Sequence, residues 1–287
     1  MSAAEGRTDL PGDLAPSALP ETALWILYQR ALEARRPDAL LHDPEAVALV
    51  DRLDFPFEQR FGPNSAAFAR IQALRALAFD GEVVDFLTRC PRGTVVCLGE
   101  GLETQYWRTD NGRAQWLGVD LPEGVALRER LLPPAPRHRQ VACSVTDPAW
   151  LDEVELGQET LITAQGLLMY LEPGEVYALV AACAARLPRA TFVFDVVPHW
   201  MTRLQRAGEK RPKGYRAPTM RWTTGPYSLL ADARTVPLGS RRAWMQRVLA
   251  LDLPDRRARL VRSLGPLDLI RPAVAPTLRS LLRRPAD

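Results

Sequence analysis

Thr94-Val95-Val96-Cys97-Leu98-Gly99-Glu100-Gly101 is the stretch that decides the fold of this chain. A short apolar run with β-branched residues has the composition of a buried strand, and the Gly-x-Gly that follows lets backbone approach a ligand closely. Working outward, Trp116-Leu117-Gly118-Val119-Asp120 reads as a second buried strand, ending in a carboxylate 21 residues beyond Gly99. That is the separation at which the second strand of a doubly wound sheet presents an acid to ribose hydroxyls. The pair points to a ligand containing a nucleoside, where a lone Gly-x-Gly would be as well explained by an ordinary strand-to-helix turn.

The glycine spacing narrows the ligand. A dinucleotide fingerprint needs a third glycine three residues after the second, so that a helix N-terminus can approach a pyrophosphate, and here that position is Thr104. Glu100, between the two glycines, would oppose a pyrophosphate but can coexist with the cationic sulfonium and ammonium groups of S-adenosylmethionine. S-adenosylmethionine therefore ranks ahead of NAD.

Further strands are expected at Gln140 to Ser144, Thr160 to Ala164 and Thr191 to Val197, with a helix from Glu175 to Leu187 between the last two. This alternation predicts an α/β fold built on a doubly wound, Rossmann-like parallel sheet. Ligands bind beyond the carboxyl ends of such strands, which puts Gly99, Asp120, Ser144, Gln165 and Asp195 along one edge. Ahead of the sheet, helices are predicted from Thr22 to Arg36, from Pro44 to about Leu53, and from Phe68 to Leu87 with a break at Gly81. Residues 1–20, rich in Ala, Gly, Pro and Asp, read as a flexible lead. Residues 21–287 are then one domain: N-terminal helices (21–93), a cofactor-binding core (94–198) and a C-terminal substrate cover (199–287). Trp200, Tyr215, Trp222 and Tyr227 are scattered in that cover among Pro, Gly and Arg.

Composition excludes several classes. The chain has 287 residues, is 47% hydrophobic and carries a net charge of +3 from nearly balanced acids and bases. No block of like charge suggests a nucleic-acid arm, and the arginines from Arg256 to Arg284 read as the solvated face of helices. Cys90, Cys97, Cys143 and Cys183 lack Cys-x-x-Cys spacing and paired His ligands, so neither a metal site nor a disulfide framework is expected. Cys97 and Cys143 lie in apolar runs and are expected to be buried thiols. With no export signal and no membrane-length apolar run, the chain reads as cytoplasmic.

Several ordered motifs resemble one family. Leu98-Gly99-Glu100-Gly101-Leu102-Glu103-Thr104 with Tyr106-Trp107-Arg108 resembles the first motif of the leucine carboxyl methyltransferases. Gly118-Val119-Asp120-Leu121-Pro122 is similar to their second-strand motif, and Gln165-Gly166-Leu167-Leu168-Met169-Tyr170-Leu171 to their Glu-Gly-Leu-Leu-Met-Tyr-Leu signature. Arg36-Pro37-Asp38-Ala39, His42-Asp43-Pro44, Ala73-Leu74-Arg75 and Phe79-Asp80 resemble the N-terminal motifs of the bacterial branch, which contains O-methyltransferases of polyketide biosynthesis. The resemblance covers residues 22–200 and implies a class I, S-adenosylmethionine-dependent methyltransferase. It implies that Arg75 pairs with the cofactor carboxylate, that Gly99 and Gly101 lie against the methionine moiety, that Asp120 holds the ribose, and that Ser144 and Val145 border the adenine. Two residues depart from the family pattern: Glu100 replaces Ala, and Gln165 replaces Glu. Gln165 keeps an acceptor but loses a charge facing the sulfonium region, which Glu100 is expected to restore from the other side.

Methyl transfer from a sulfonium is an in-line displacement, so positioning of the acceptor dominates. A carboxylate acceptor needs no general base, whereas a hydroxyl gives up a proton, for which His199 is the candidate base. Tyr170 is a candidate for the acceptor pocket. Trp200 and Trp222 could stack on an aromatic acceptor, and Arg203, Arg216 and Arg221 could bind a second anionic group. The reading is an O-methyltransferase acting on a carboxyl or hydroxyl group of a small secondary metabolite, with no nucleic-acid or membrane partner and the oligomeric state open. A non-catalytic, methyltransferase-like partner protein, a protein C-terminal carboxyl methyltransferase and, last, an NAD oxidoreductase are the alternatives.

Overall fold

A computed structural model describes residues 8–9, 21–62, 65–155, 157–197, 218–223, 234–236 and 247–252. Five parallel strands form the centre: β1 (Thr94–Leu98), β2 (Gln115–Asp120), β3 (His138–Ala142), β4 (Thr160–Ala164) and β5 (Thr191–Val196). They run in the order 3-2-1-4-5, and β6 (Arg234–Val236) and β7 (Arg247–Asp252) extend the sheet beyond β5 as 7-6. The last two strands are antiparallel, β7 to β5 and β6 to β7. The segment after residue 199 therefore contributes sheet, contrary to the reading of a cover alone. The physical reason is that β5, without β7, would leave a full row of backbone donors and acceptors at an edge.

Helices α1 (Glu21–Ala34), α2 (Pro44–Arg52), α3 (Phe57–Phe61) and α4 (Ala66–Arg89) precede the sheet. Asp43 starts α2 by accepting the Ala46 N–H, with Pro44 in the first turn. The fourth helix passes through Gly81 without the expected break. Phe79, Val83, Phe86 and Leu87, buried on either side of Gly81, outweigh the cost of about 1 kcal/mol for one glycine in a helix. Helices α5 (Gln105–Thr109), α6 (Pro122–Leu131) and α7 (Pro173–Arg186) follow β1, β2 and β4. Within the stretch read as a flexible lead, Thr8–Asp9 pairs in parallel with Leu53–Asp54.

All residues of β1 and β4 are buried, and the main core lies between the sheet and α7, with Trp150 and Phe194 in it. A second cluster joins α1, α2 and α3 to Leu102 and to Leu127 and Leu131 of α6, so the N-terminal helices pack onto the turn after β1. The third strand lies two residues earlier than expected. It is the sheet's edge, Arg139 and Ala142 on it are exposed, and no apolar alternation marks it. Cys143 falls in the following loop and is half-buried, unlike Cys97.

Candidate functional site

The carboxyl ends of β1, β2, β3 and β4 converge where the strand order reverses beside β1, the position at which doubly wound sheets bind ligands. The turn after β1 takes left-handed backbone at Gly99 (φ +61°) and Gly101 (φ +51°), which L side chains rarely adopt. A Cβ at Gly99 would also lie 2.8 Å from Leu167, so the first turn and the motif after β4 are in contact there.

Asp120 closes this turn from β2. Its Oδ2 accepts the Gly101 N–H at 2.7 Å and its Oδ1 accepts the Leu121 N–H at 2.8 Å. Each oxygen retains acceptor capacity for an incoming hydroxyl. Burial raises the Asp120 carboxyl above the ordinary aspartate range, against the lowering effect of these two N–H groups.

The Glu100 side chain, expected beside the sulfonium region, lies against Arg128 of α6 and against His138 and Gln140 of β3. It is 2% exposed, with Oε1 2.9 Å from Arg128 Nη2 and Oε2 3.1 Å from His138 Nε2. Gln140 Nε2 also donates to Oε2, at 3.1 Å. The contact with Arg128 is an ion pair lying off the hydrogen-bond direction. Burial opposes ionisation, but Arg128 and His138 overcome it and hold the Glu100 carboxyl below its ordinary value. This pocket exists because position 118 is glycine: a Cβ there would lie 2.5 Å from Glu100 Oε2.

Arg75 reaches the same edge from α4 and is buried. Its Nη1 donates to Asp195 Oδ2 at 3.2 Å, and Asp195 Oδ1 accepts the Gly166 N–H at 2.6 Å. Nε of Arg75 is buried without a hydrogen-bond partner among the described residues. Gln165, one residue beyond β4, donates from Nε2 to Glu103 Oε2 at 3.0 Å. A carboxylate only accepts, so the amide nitrogen must face it, and the Gln165 Oε1 is left buried with no partner among the described residues. Glu103 is held by Arg30 (2.8 Å) and Arg108 (2.9 Å), and Asp43 binds both arginines at 3.0 Å. Burial opposes ionisation of Glu103, but the two guanidinium groups hold its carboxyl at about 2.

At the end of β3 the Ser144 hydroxyl pairs with that of Thr146 at 2.8 Å, and Val145 is buried in the main core. Tyr170 packs with Met169, Val197 and Met220. Trp222 is a core residue set against Phe194, which removes it as an acceptor platform, and Arg221 is exposed and paired with Glu172 at 2.8 Å. His199, Trp200, Arg203, Tyr215 and Arg216 lie outside the described residues. Among the described residues there is no metal-holding group of His, Cys, Asp and Glu, and no helix long and apolar enough to cross a membrane.

Three comparisons bear on this edge. The model of the leucine carboxyl methyltransferase family matches residues 23–184, more than half of the chain. The chain belongs to the leucine carboxyl methyltransferase family. Among its relatives is the tetracenomycin polyketide synthesis O-methyltransferase TcmP of Streptomyces glaucescens, 32% identical over 236 residues that cover 75% of this chain and 87% of the relative. The S-adenosyl-L-methionine-dependent methyltransferase dpfgK of Gibberella zeae is 28% identical over 190 residues, covering 61% of this chain and 63% of the relative. A solved methyltransferase candidate from Thermobifida fusca YX shares the fold, with a TM-score of 0.56 at 16% identity, covering 85% of this chain and 98% of that one.

This family member is an S-adenosylmethionine-dependent methyltransferase, and the residues at its edge fit that cofactor. Among the described residues a buried guanidinium nitrogen on Arg75 and a buried amide oxygen on Gln165 lack partners, the chemistry that a carboxylate and an ammonium would satisfy. Sequence reading missed Arg128, Glu103 and Arg30. Glu103 stands inside the quoted motif without a pattern to mark it, and Arg128 is one of several charges on α6.

Proposed function

We propose that this methyltransferase acts on oxygen, methylating a carboxyl or hydroxyl group of a small molecule of secondary metabolism. The kinship with TcmP, a polyketide O-methyltransferase by name, supports oxygen as the acceptor atom. The observation that carries the cofactor half is the coupling of Asp120 to Gly101 at 2.7 Å, which ties the ribose acid to the glycine turn. In this reading Arg75 binds the cofactor carboxylate, Gly99 and Gly101 give backbone to the methionine side, and Asp120 accepts the ribose hydroxyls. Ser144 and Val145 border the adenine, and Gln165 is a neutral acceptor beside the methionine group. Bound S-adenosylmethionine supplies a methyl carbon made electrophilic by its sulfonium.

Acceptor-side residues orient an oxygen and manage its proton. Tyr170, half-buried beyond the β4 edge, is assigned to the acceptor pocket. His199 is assigned as the base for a hydroxyl acceptor, whereas a carboxylate, ionised near neutrality, needs only to be held. The test is transfer of a radiolabelled methyl group to a panel of aromatic acids and phenols, followed by mild base. Methyl esters release the label and aryl ethers keep it; label found only on nitrogen or carbon contradicts the proposal. For a hydroxyl acceptor, the single-turnover rate rises through a pKa near ~6.5, and His199→Ala removes that limb and slows transfer by about 10²-fold. A flat profile indifferent to that substitution removes His199 from the reaction.

A further inference from the structure

Among the described residues the buried guanidinium of Arg128 bonds to the turn after β1. Its Nη1 donates to the Gly101 carbonyl at 3.0 Å and to the Glu103 carbonyl at 2.6 Å. Its Nη2 lies 2.9 Å from Glu100, and its carbon lies 5.4 Å from the Trp107 ring centroid. All four contacts fall between residues 100 and 107. The N–H of Gly101 is meanwhile taken by Asp120, so the segment from the end of β2 through α6 grips this residue by both its N–H and its C=O.

A turn with two glycines in left-handed backbone has many unfolded conformations to lose, and the glycines carry no side chain that selects one. The Glu103 N–H bonds the Glu100 carbonyl at 3.0 Å within the turn, and the Gly101 and Glu103 carbonyls are held from outside. A planar guanidinium can do this, because its fixed fork meets several acceptors in one geometry. A buried guanidinium in turn needs a counter-charge, since an unpaired one is strongly disfavoured. Glu100 supplies it, anchored by His138 and Gln140 in the space that Gly118 leaves open.

We infer that Arg128 is a positioning residue for the cofactor turn, and that Glu100 acts on the cofactor only through Arg128, as its buried counter-charge. This rests on the reading that the turn carries S-adenosylmethionine. It goes beyond that reading by giving the unusual acid between the glycines a role in holding the turn, in place of a contact with the ligand.

The test is a double-mutant cycle read by calorimetry with S-adenosylhomocysteine, with thermal unfolding measured in parallel. Arg128→Met is expected to weaken binding about tenfold, the scale of the charge-assisted hydrogen bonds lost, and to lower the melting temperature by stranding Glu100. Arg128→Lys recovers part of the affinity, because one ammonium cannot reach all the acceptors. The double variant Glu100→Ala/Arg128→Met strands no charge, so it melts above Arg128→Met yet binds as weakly as Arg128→Met alone. That pairing of recovered stability with unrecovered affinity separates positioning from a structural role. A double variant that binds like the parent, or one weaker than Arg128→Met by the full effect of Glu100→Ala, overturns the inference. If the parent itself does not bind, the cofactor reading fails and the inference falls with it.

Discussion

Asp120 has two oxygens, and each already accepts one backbone N–H, from Gly101 and from Leu121. Ribose hydroxyls add to these bonds, so the ionised carboxylate is the form that binds. Burial holds the Asp120 carboxyl above the ordinary aspartate range in the free protein. Binding through the ionised form therefore releases a proton at low pH, and affinity must rise with pH through that raised value and then level off. Calorimetry with S-adenosylhomocysteine at a series of acidic to neutral pH values should show the rise in the parent and a weaker, flat profile in Asp120→Asn. A parent profile as flat as the variant's removes Asp120 from the ribose site. At this scale the sequence was legible for placement wherever a residue's position is set by its own strand end, as for Gly99, Gly101 and Asp120. It was not legible for Glu100, because the groups that claim it, Arg128, His138 and Gln140, sit on α6 and β3 with no periodicity linking them to the turn.

Among the elements, β1, β4 and α7 were legible because their apolar patterns match one strongly buried environment. Gly81 misled because glycine was weighed locally, whereas the burial of Phe79 and Val83 decides the helix. Its exposed position, with nothing within 4 Å of a built Cβ, leaves room for a methyl group. Gly81→Ala should therefore stabilise the protein by about 0.5–1 kcal/mol, read as a higher urea midpoint at unchanged slope. A lower midpoint would mean that the glycine serves something other than helix geometry. Strand β7 was missed for a different reason. Val248-Leu249-Ala250-Leu251 is apolar, but it stands in a region of Pro, Gly and Arg, and its pairing partner is β5, far back in the sequence.

The molecule as a whole sets a buried ionic layer between its N-terminal helices and its sheet. Arg30 of α1, Asp43 before α2, Asp80 of α4 and Glu103 and Arg108 of the turn and α5 all meet there. Against the effect of burial, Arg30 and Arg108 depress the Glu103 carboxyl to about 2, from an ordinary value of 4.5. A depressed folded-state value means a contribution to stability that is complete above about pH 4.5 and is lost as pH falls toward 2. Glu103→Gln should destabilise the protein by about 3 kcal/mol at pH 7, with the gap to the parent shrinking below pH 4.5. Urea titrations at pH 7, 4.5 and 3 measure that gap, and a gap constant across the three would contradict the pairing.

The central claim, that this edge binds S-adenosylmethionine with Asp120 on the ribose and Arg75 on the carboxylate, is tested most directly by two ligands that differ at the carboxylate end. S-adenosylhomocysteine carries the amino acid carboxylate and 5′-methylthioadenosine does not, while both carry the ribose. In calorimetric titrations, Asp120→Ala should weaken both ligands by about 2 kcal/mol or more, on the scale of lost charged hydrogen bonds. Arg75→Lys should weaken S-adenosylhomocysteine alone, because an ammonium lacks the planar fork that matches a carboxylate. Equal losses for the two ligands in Arg75→Lys, or unchanged binding in a folded Asp120→Ala protein, would contradict the account.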